Sequence, residues 1–276
     1  YDIVFGDWSS DVCSADLDFA WSRAGLPHAV AAYHQLEREG KQPPRLGMFY
    51  DTSTLWRTPH DLNTAEGRDW MYVSLRDFWT YLPPDTWALV DGKPLVFLYA
   101  AVKPEFRSQE AVDLCYERFA RDFSCEPYIV AEVSWAPMRF ASVYAWGGAV
   151  SARYQEVASI GPGFDSTAVP NGKLLREREG GKTYSDGWEG LLRMRPDRRS
   201  WMVMIETWNE LHEATEISET VEYGREYLDL TRNYPALFKQ GTQLPGSGDF
   251  AGARKVSLKL QGDKSEGITP ASTADG

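Results

Sequence analysis

The sequence predicts an α/β protein built on a parallel sheet covered by helices. Three observations carry that reading. Short apolar runs alternate with amphipathic helical segments from residue 24 to residue 238. The runs are apolar on both faces and rich in Val, Ile and Leu, as strands buried between helix layers are. Six such runs fall between residues 45 and 208. That number suffices for a doubly wound sheet and is two short of an eight-stranded barrel.

Residues 24–40 read as a helix, with Leu26, Val30, Tyr33 and Leu36 on one face and Gly40 near its end. Residues 45–51 (RLGMFYD) read as a buried strand ending in Asp51. Residues 67–82 are helical, and Pro83-Pro84 stops them. The turn Asp91-Gly92 introduces a strand over 93–99 (KPLVFLY). A helix over 110–123 lines up Val112, Cys115, Phe119 and Phe123. Strands follow at 128–135 (YIVAEVSW), 141–146 (ASVYAW) and 156–160. Asp186-Gly187 opens a helix over 186–194, and 201–208 (WMVMIETW) is a strongly apolar strand. Residues 221–238 form a closing helix. These elements make one barrel-sized unit over 18–239, followed by a Gly- and Pro-rich linker over 240–252. Residues 253–261 (ARKVSLKLQ) alternate polar and apolar. Residues 253–276 are therefore either the start of a β-rich domain or a disordered tail.

The chain has 276 residues and a net charge of -11. That balance argues against a nucleic-acid surface, which needs a basic patch. No apolar run approaches the ~20 residues of a membrane span. Three cysteines make no disulfide framework. Cys115 lies on an apolar helix face and reads as a buried thiol; export would allow it to bridge to Cys125. No signal peptide is visible. The run Asp7-Trp-Ser-Ser-Asp-Val-Cys13-Ser-Ala-Asp-Leu17 resembles a translated sequencing adapter, of the kind found in chains from metagenome assemblies. Residues 1–17, Cys13 among them, are therefore expected to be non-native, and the front of the fold to be truncated.

The chemically dense stretch is Glu206-Thr-Trp-Asn-Glu-Leu-His-Glu-Ala-Thr-Glu216, at the end of the last apolar strand. Glu206, Glu210, Glu213 and Glu216 are interleaved with Trp208, Asn209 and His212. Acids at this spacing also make an ordinary solvated helix face. Directly after a buried strand they fit an active site better. Glycoside cleavage needs one protonated and one ionised carboxyl flanking the scissile bond, and Glu210 and Glu213 fill those roles. Asn209 and His212 are placed to bind sugar hydroxyls or orient the acids. His212-Glu213-Ala-Thr-Glu216 departs from the H-E-x-x-H zinc pattern, so no metal is expected.

A second motif, Ser159-Ile-Gly-Pro-Gly-Phe164-Asp165-Ser-Thr167, invites a phosphate-loop reading. No Lys follows in position and Pro162 removes an amide donor, so a cleft-lining loop fits better. Tyr50, Tyr99, Trp135, Trp146 and Trp208 fall near predicted strand ends, where flat rings stack on sugars.

These motifs carry a family resemblance. Asn209-Glu-Leu-His-Glu-Ala214 resembles the N-E-W-H-E-G run of glycoside hydrolase family 99, the endo-α-mannosidases and endo-α-mannanases. The 159–167 run is similar to that family's G-P-G-Y-x-D-T loop, and the order of the two is the same. The texture is closest to uncharacterised bacterial relatives. The resemblance spans roughly residues 20–238, thinly outside the motifs. It implies a (β/α)8 barrel, here truncated at its N-terminal end. It implies a monomer with an oligosaccharide or polysaccharide substrate, no cofactor, and a secreted or periplasmic location. It implies retention through an anhydro-sugar. Glu210 would assist attack by the sugar's own 2-hydroxyl, and Glu213 would act as acid and then base. Leu211 stands where the motif has Trp, Ala214 where it has Gly, and Phe164 where it has Tyr. Mannan specificity is the part these departures touch. Two other readings stay open. One is an ordinary retaining glycosidase with Glu210 as acid/base and Asp51 or Glu132 as nucleophile. The other is a carbohydrate-binding barrel without catalysis.

Overall fold

A computed structural model describes residues 25–52, 61–99, 101, 107–168 and 172–246. The adapter-like run, the linker from residue 247 and the segment beyond residue 253 lie outside the described residues. The fold is mixed α/β. Six parallel strands are β1 (Met48–Tyr50), β2 (Lys93–Leu98), β3 (Tyr128–Glu132), β4 (Ser142–Tyr144), β5 (Val157–Ile160) and β6 (Met202–Ile205). β1 to β4 pair in sequence order in one parallel ladder, and β5 pairs with β6 in another. β4 packs beside β5. The described ladders thus hold six parallel strands in two groups, where a full barrel has one ring of eight.

Side chains alternate strictly across these strands. Met48, Tyr50, Val96, Leu98, Ile129 and Ala131 face a helix layer. That layer is made by α2 (Ala65–Tyr81) and α3 (Gln109–Phe123), while α1 (Leu26–Arg38) precedes β1 in the chain. Ala158 and Ile160 face α4 (Lys182–Arg193) and α5 (Glu226–Lys239). The opposite faces meet in an inner cluster of Leu95, Phe97, Val130, Tyr144, Val157 and Met204, with Phe49 and Met202 against it. Every one of the six parallel strands contributes to that cluster.

Local signals explain most helix boundaries. The Thr64 side chain caps α2 by accepting from the Gly67 amide at 3.1 Å, and Ser108 caps α3 from the Ala111 amide at 3.3 Å. Two boundaries differ from the sequence expectation. α4 begins at Lys182, and Asp186-Gly187 lies inside it. Gly187 serves packing there, since a Cβ at that position would sit 2.9 Å from Ile160 Cγ2. α5 begins at Glu226, because Thr220 and Gly224 exchange backbone hydrogen bonds in a turn of their own. Cys115 and Cys125 are free thiols, the first fully buried. No helix among the described residues is long and apolar enough to cross a membrane.

Candidate functional site

Strand register builds the site. Continuing the ladder one residue past each paired end brings Asp51, Tyr99, Glu132 and Tyr144 into a single inward row. Glu206 follows inward-facing Met202 and Met204 at the end of β6. Five polar side chains therefore converge at the C-terminal ends of the parallel strands. Above them opens a cavity of about 460 Å³. Its walls include Asp51, Glu206, Glu210, His212 and Glu213, with Phe49, Tyr99, Trp146 and Phe164 as the aromatic face.

Glu206 is 2% exposed. Its carboxylate accepts from the Gly147 and Ala149 amides at 3.1 and 3.3 Å, and from the Ser159 hydroxyl. Loss of hydration outweighs these donors and pushes its pKa up to about 7. By the same contacts Glu206 fastens the 147–150 segment, which forms part of the cavity wall. Gly161 lets the chains close up here: a Cβ on it would sit 2.2 Å from the Glu206 carbonyl oxygen. The Gly-Pro-Gly motif is thus a close crossing of two strand ends, with Phe164 beyond it on the cavity wall.

Glu210 and Glu213 lie on a loop that closes on itself. The Thr207 amide donates to the Thr215 carbonyl at 2.8 Å, and the two threonine hydroxyls lie 2.8 Å apart. The Glu210 amide donates to Thr207 Oγ1 at 3.1 Å. From below, Arg178 donates to the Ala214 and Glu216 carbonyls, each at 3.0 Å. It also pairs with the Glu216 carboxylate at 2.8 Å, buried on both sides. The guanidinium lies over the Tyr223 and Tyr227 rings at 4.2 and 4.6 Å. Burial raises the Glu216 pKa and Arg178 opposes that rise. The two sequence motifs meet where the Asp165 amide donates to the Glu213 carbonyl at 2.8 Å. His212 Nδ1 lies 3.5 Å from Glu210 Oε1, with its ring largely in solvent.

Of the residues singled out by sequence, Glu210, Glu213, His212, Asp51, Tyr99, Trp146 and Phe164 line this cavity. Five others do not. Tyr50 and Trp135 are fully buried in the helix-facing core; Tyr50 is one residue out of phase with the inward row, and Trp135 lies in a 3-10 turn over Val133–Trp135, because the strand expected over 128–135 ends at Glu132. Trp135 reaches the site only indirectly, donating from its indole to the Tyr99 carbonyl at 2.6 Å. Trp208 and Asn209 are exposed and do not line the cavity. Asp165 caps its own turn by accepting from the Thr167 amide at 2.8 Å, and the Thr167 hydrogen bonds hold its pKa low. Glu132 accepts from the Ser134 and Trp146 amides at 2.8 and 3.4 Å, below the cavity wall. Phe49 and Glu206 were not selected from sequence as lining residues. Their signal was the alternation itself, Phe49 with Asp51 and Met204 with Glu206.

No curated protein matches the chain. A solved structure described as "Glycoside hydrolase-like protein" is similar at 14% identity, covering 88% of this chain and 81% of that one with a TM-score of 0.55. At that identity the likeness concerns the fold, which is glycoside-hydrolase-like, and it does not single out family 99. The family model described as "Domain of unknown function (DUF5010)" matches residues 15–244, and the chain belongs to that family.

Proposed function

We propose that this chain is a glycoside hydrolase acting on an α-linked, mannan-like glycan with retention. We propose also that its six parallel strands are part of a (β/α)8 barrel. One observation carries the functional reading. Glu210 and Glu213 line the same aromatic-walled cavity at the C-terminal ends of parallel strands, where barrel enzymes keep their chemistry. The inner cluster shared by all six strands supports the barrel.

In the proposed reaction Glu213 gives its proton to the glycosidic oxygen as the bond to the anomeric carbon breaks. Glu210 takes the proton of the sugar's own 2-hydroxyl as that oxygen bonds to the anomeric carbon. Water then opens the anhydro ring, with Glu213 taking the water's proton and Glu210 returning one to the 2-oxygen. Tyr99 and Trp146 offer ring faces to the sugar.

Release of new reducing ends from α-mannan oligosaccharides tests this directly. Glu210→Gln and Glu213→Gln are each expected to lower turnover about 100- to 10,000-fold. Unchanged hydrolysis in both variants sinks the proposal. A second reading rests on Asp51, which lines the cavity from β1, opposite the Glu210 loop in the sequence of strands. There Glu210 is the acid/base and Asp51 the nucleophile. Collapse of turnover in Asp51→Asn with near-normal Glu213→Gln selects that reading. Sugar binding without hydrolysis in the unmodified chain selects a binding barrel.

A further inference from the structure

The segment that carries Trp146 joins the two ladders. It leaves β4 at Tyr144 and enters β5 at Val157. Trp146 is half-buried and lines the cavity, its ring centroid 5.7 Å from that of Phe49 and 5.0 Å from that of Tyr99. Two buried carboxylates, one from each ladder, take successive amides of this segment. Glu132, the last residue of β3, accepts from the Trp146 amide at 3.4 Å. Glu206, directly after β6, accepts from the Gly147 amide with both oxygens at 3.1 Å, and from the Ala149 amide at 3.3 Å. The backbone beneath is equally close. The Gly161 amide donates to the Gly148 carbonyl at 3.0 Å, and a Cβ on Gly148 would sit 2.3 Å from the Ser159 carbonyl carbon. Gly147 takes φ of 102°, which glycine adopts without the cost a Cβ brings. Burying a carboxylate is costly unless hydrogen bonds offset it. Here the donors that offset it include the amides beside one aromatic ring.

We propose that Glu206 and Glu132 are positioning residues, which together set Trp146 as the platform for a sugar ring. The sugar rests on the glycosidase reading; the placing of the Trp146 ring does not. Phe49 and Tyr99 bear on the ring itself, and the two acids fix the backbone that carries it. Glu206 takes the larger share, because it holds two amides and is held in turn by the Ser159 hydroxyl. A platform set beforehand spares the ordering cost when the ligand binds. Acids acting through Trp146 have a signature unlike that of Glu210 and Glu213. Affinity for the sugar falls when they are removed, and the chemical step does not.

Near-ultraviolet circular dichroism of the whole chain tests the placing without any sugar. Subtracting the spectrum of Trp146→Ala from that of the unmodified chain gives the band of Trp146 against Phe49 and Tyr99. The same subtraction is then made within the Glu206→Leu background. The band is expected to fall below half there, and to persist within Glu206→Gln, whose amide oxygen still accepts from the Gly147 and Ala149 amides. An undiminished band in Glu206→Leu overturns the inference. Glu206→Asp keeps the charge and draws the carboxylate back by one carbon; it should also diminish the band, and it carries the test should Glu206→Leu fail to fold. Calorimetric titration with α-mannotriose tests the platform. Trp146→Ala and Glu206→Leu are each expected to weaken binding about tenfold. The double variant should bind no more weakly than Trp146→Ala alone, because both changes remove one platform. Additive losses, about a hundredfold in the double variant, overturn the inference. In mannan hydrolysis Glu206→Leu should raise KM and leave kcat within a few-fold. A collapse of kcat in Glu206→Gln like that in Glu210→Gln makes Glu206 a catalytic acid and overturns its positioning role. Failure of the unmodified chain to bind mannotriose overturns the mannan-like reading, and the circular dichroism then decides the placing of Trp146 by itself.

Discussion

At Glu206 two effects oppose each other. Three donors favour the carboxylate, and near-complete burial favours the acid. Burial wins, and the native group holds its proton until about pH 7, against 4.5 for the ordinary side chain. Between those values the folded state binds more protons than the unfolded one, so stability falls as pH rises. The full loss is about 3 kcal/mol, complete above the native pKa and absent below the unfolded one. Urea unfolding across this window should show that decline in the unmodified chain and its disappearance in Glu206→Gln. Parallel curves for the two proteins would count against a native pKa near 7. Ala214 makes a second residue-scale case. It adopts φ of 48°, a conformation that costs a residue with a Cβ roughly 1 kcal/mol. Gly stands there in the motif this segment resembles. Ala214→Gly should therefore stabilise by up to about 1 kcal/mol, less the extra freedom of the unfolded chain. Both residues show how far sequence reaches. Glu206 sits in phase with Met202 and Met204, so its inward aim was legible from period-2 alternation alone. Nearness to a strand end does not fix which face a side chain takes, which is why Tyr50 turns away from the cavity, and the apolar run over 128–135 hides that its strand stops at Glu132, three residues before Trp135.

The element that matters most is the loop from Thr207 to Ile217. Its acids at i and i+3 look like one face of a helix, yet the chain closes through the two threonines instead. Sequence spacing made Glu210, Glu213 and Glu216 look alike. Their environments separate them, since only Glu216 meets Arg178, 38 residues away in the chain. A contact that distant leaves no local periodicity to read. The same contact makes a prediction. Arg178→Met leaves the Glu216 carboxylate buried without its cation and frees two loop carbonyls. Losing one partner of a buried pair costs about 3–5 kcal/mol. The double variant Arg178→Met with Glu216→Leu should recover much of that loss, because neither charge then remains. Denaturant midpoints of the two single variants and the double variant give the comparison. A fully additive double variant would mean that the pair is not coupled. Glu213 shares this loop, so sugar turnover should fall in Arg178→Met even below the unfolding transition.

For the whole molecule the question is whether two ladders behave as one body. The hydrogen-bonded order separates β1–β4 from β5–β6. The apolar interior does not, because Phe97 on β2 meets Tyr144 on β4 at 5.3 Å and shares its cluster with Val157 and Met204. The outer layers, by contrast, divide cleanly, with α2 and α3 on one group and α4 and α5 on the other. Cutting Phe97 back to Ala opens a void at the centre of the shared cluster, and such changes cost about 3–5 kcal/mol. If the interior couples the ladders, that loss is felt everywhere at once. Hydrogen exchange should then accelerate by a similar factor in peptides from α2, α3, α4 and α5, with a single unfolding transition at a lower midpoint. If the ladders fold as separate bodies, acceleration will be confined to α2 and α3 while α4 and α5 keep their protection. The first result joins the six strands in one barrel-like wall, with the carboxylates of β1 and β6 held at a fixed separation across the cavity. The second would leave Asp51 and the Glu210 loop on parts that move independently, and the reading that pairs Asp51 with Glu210 needs the two fixed.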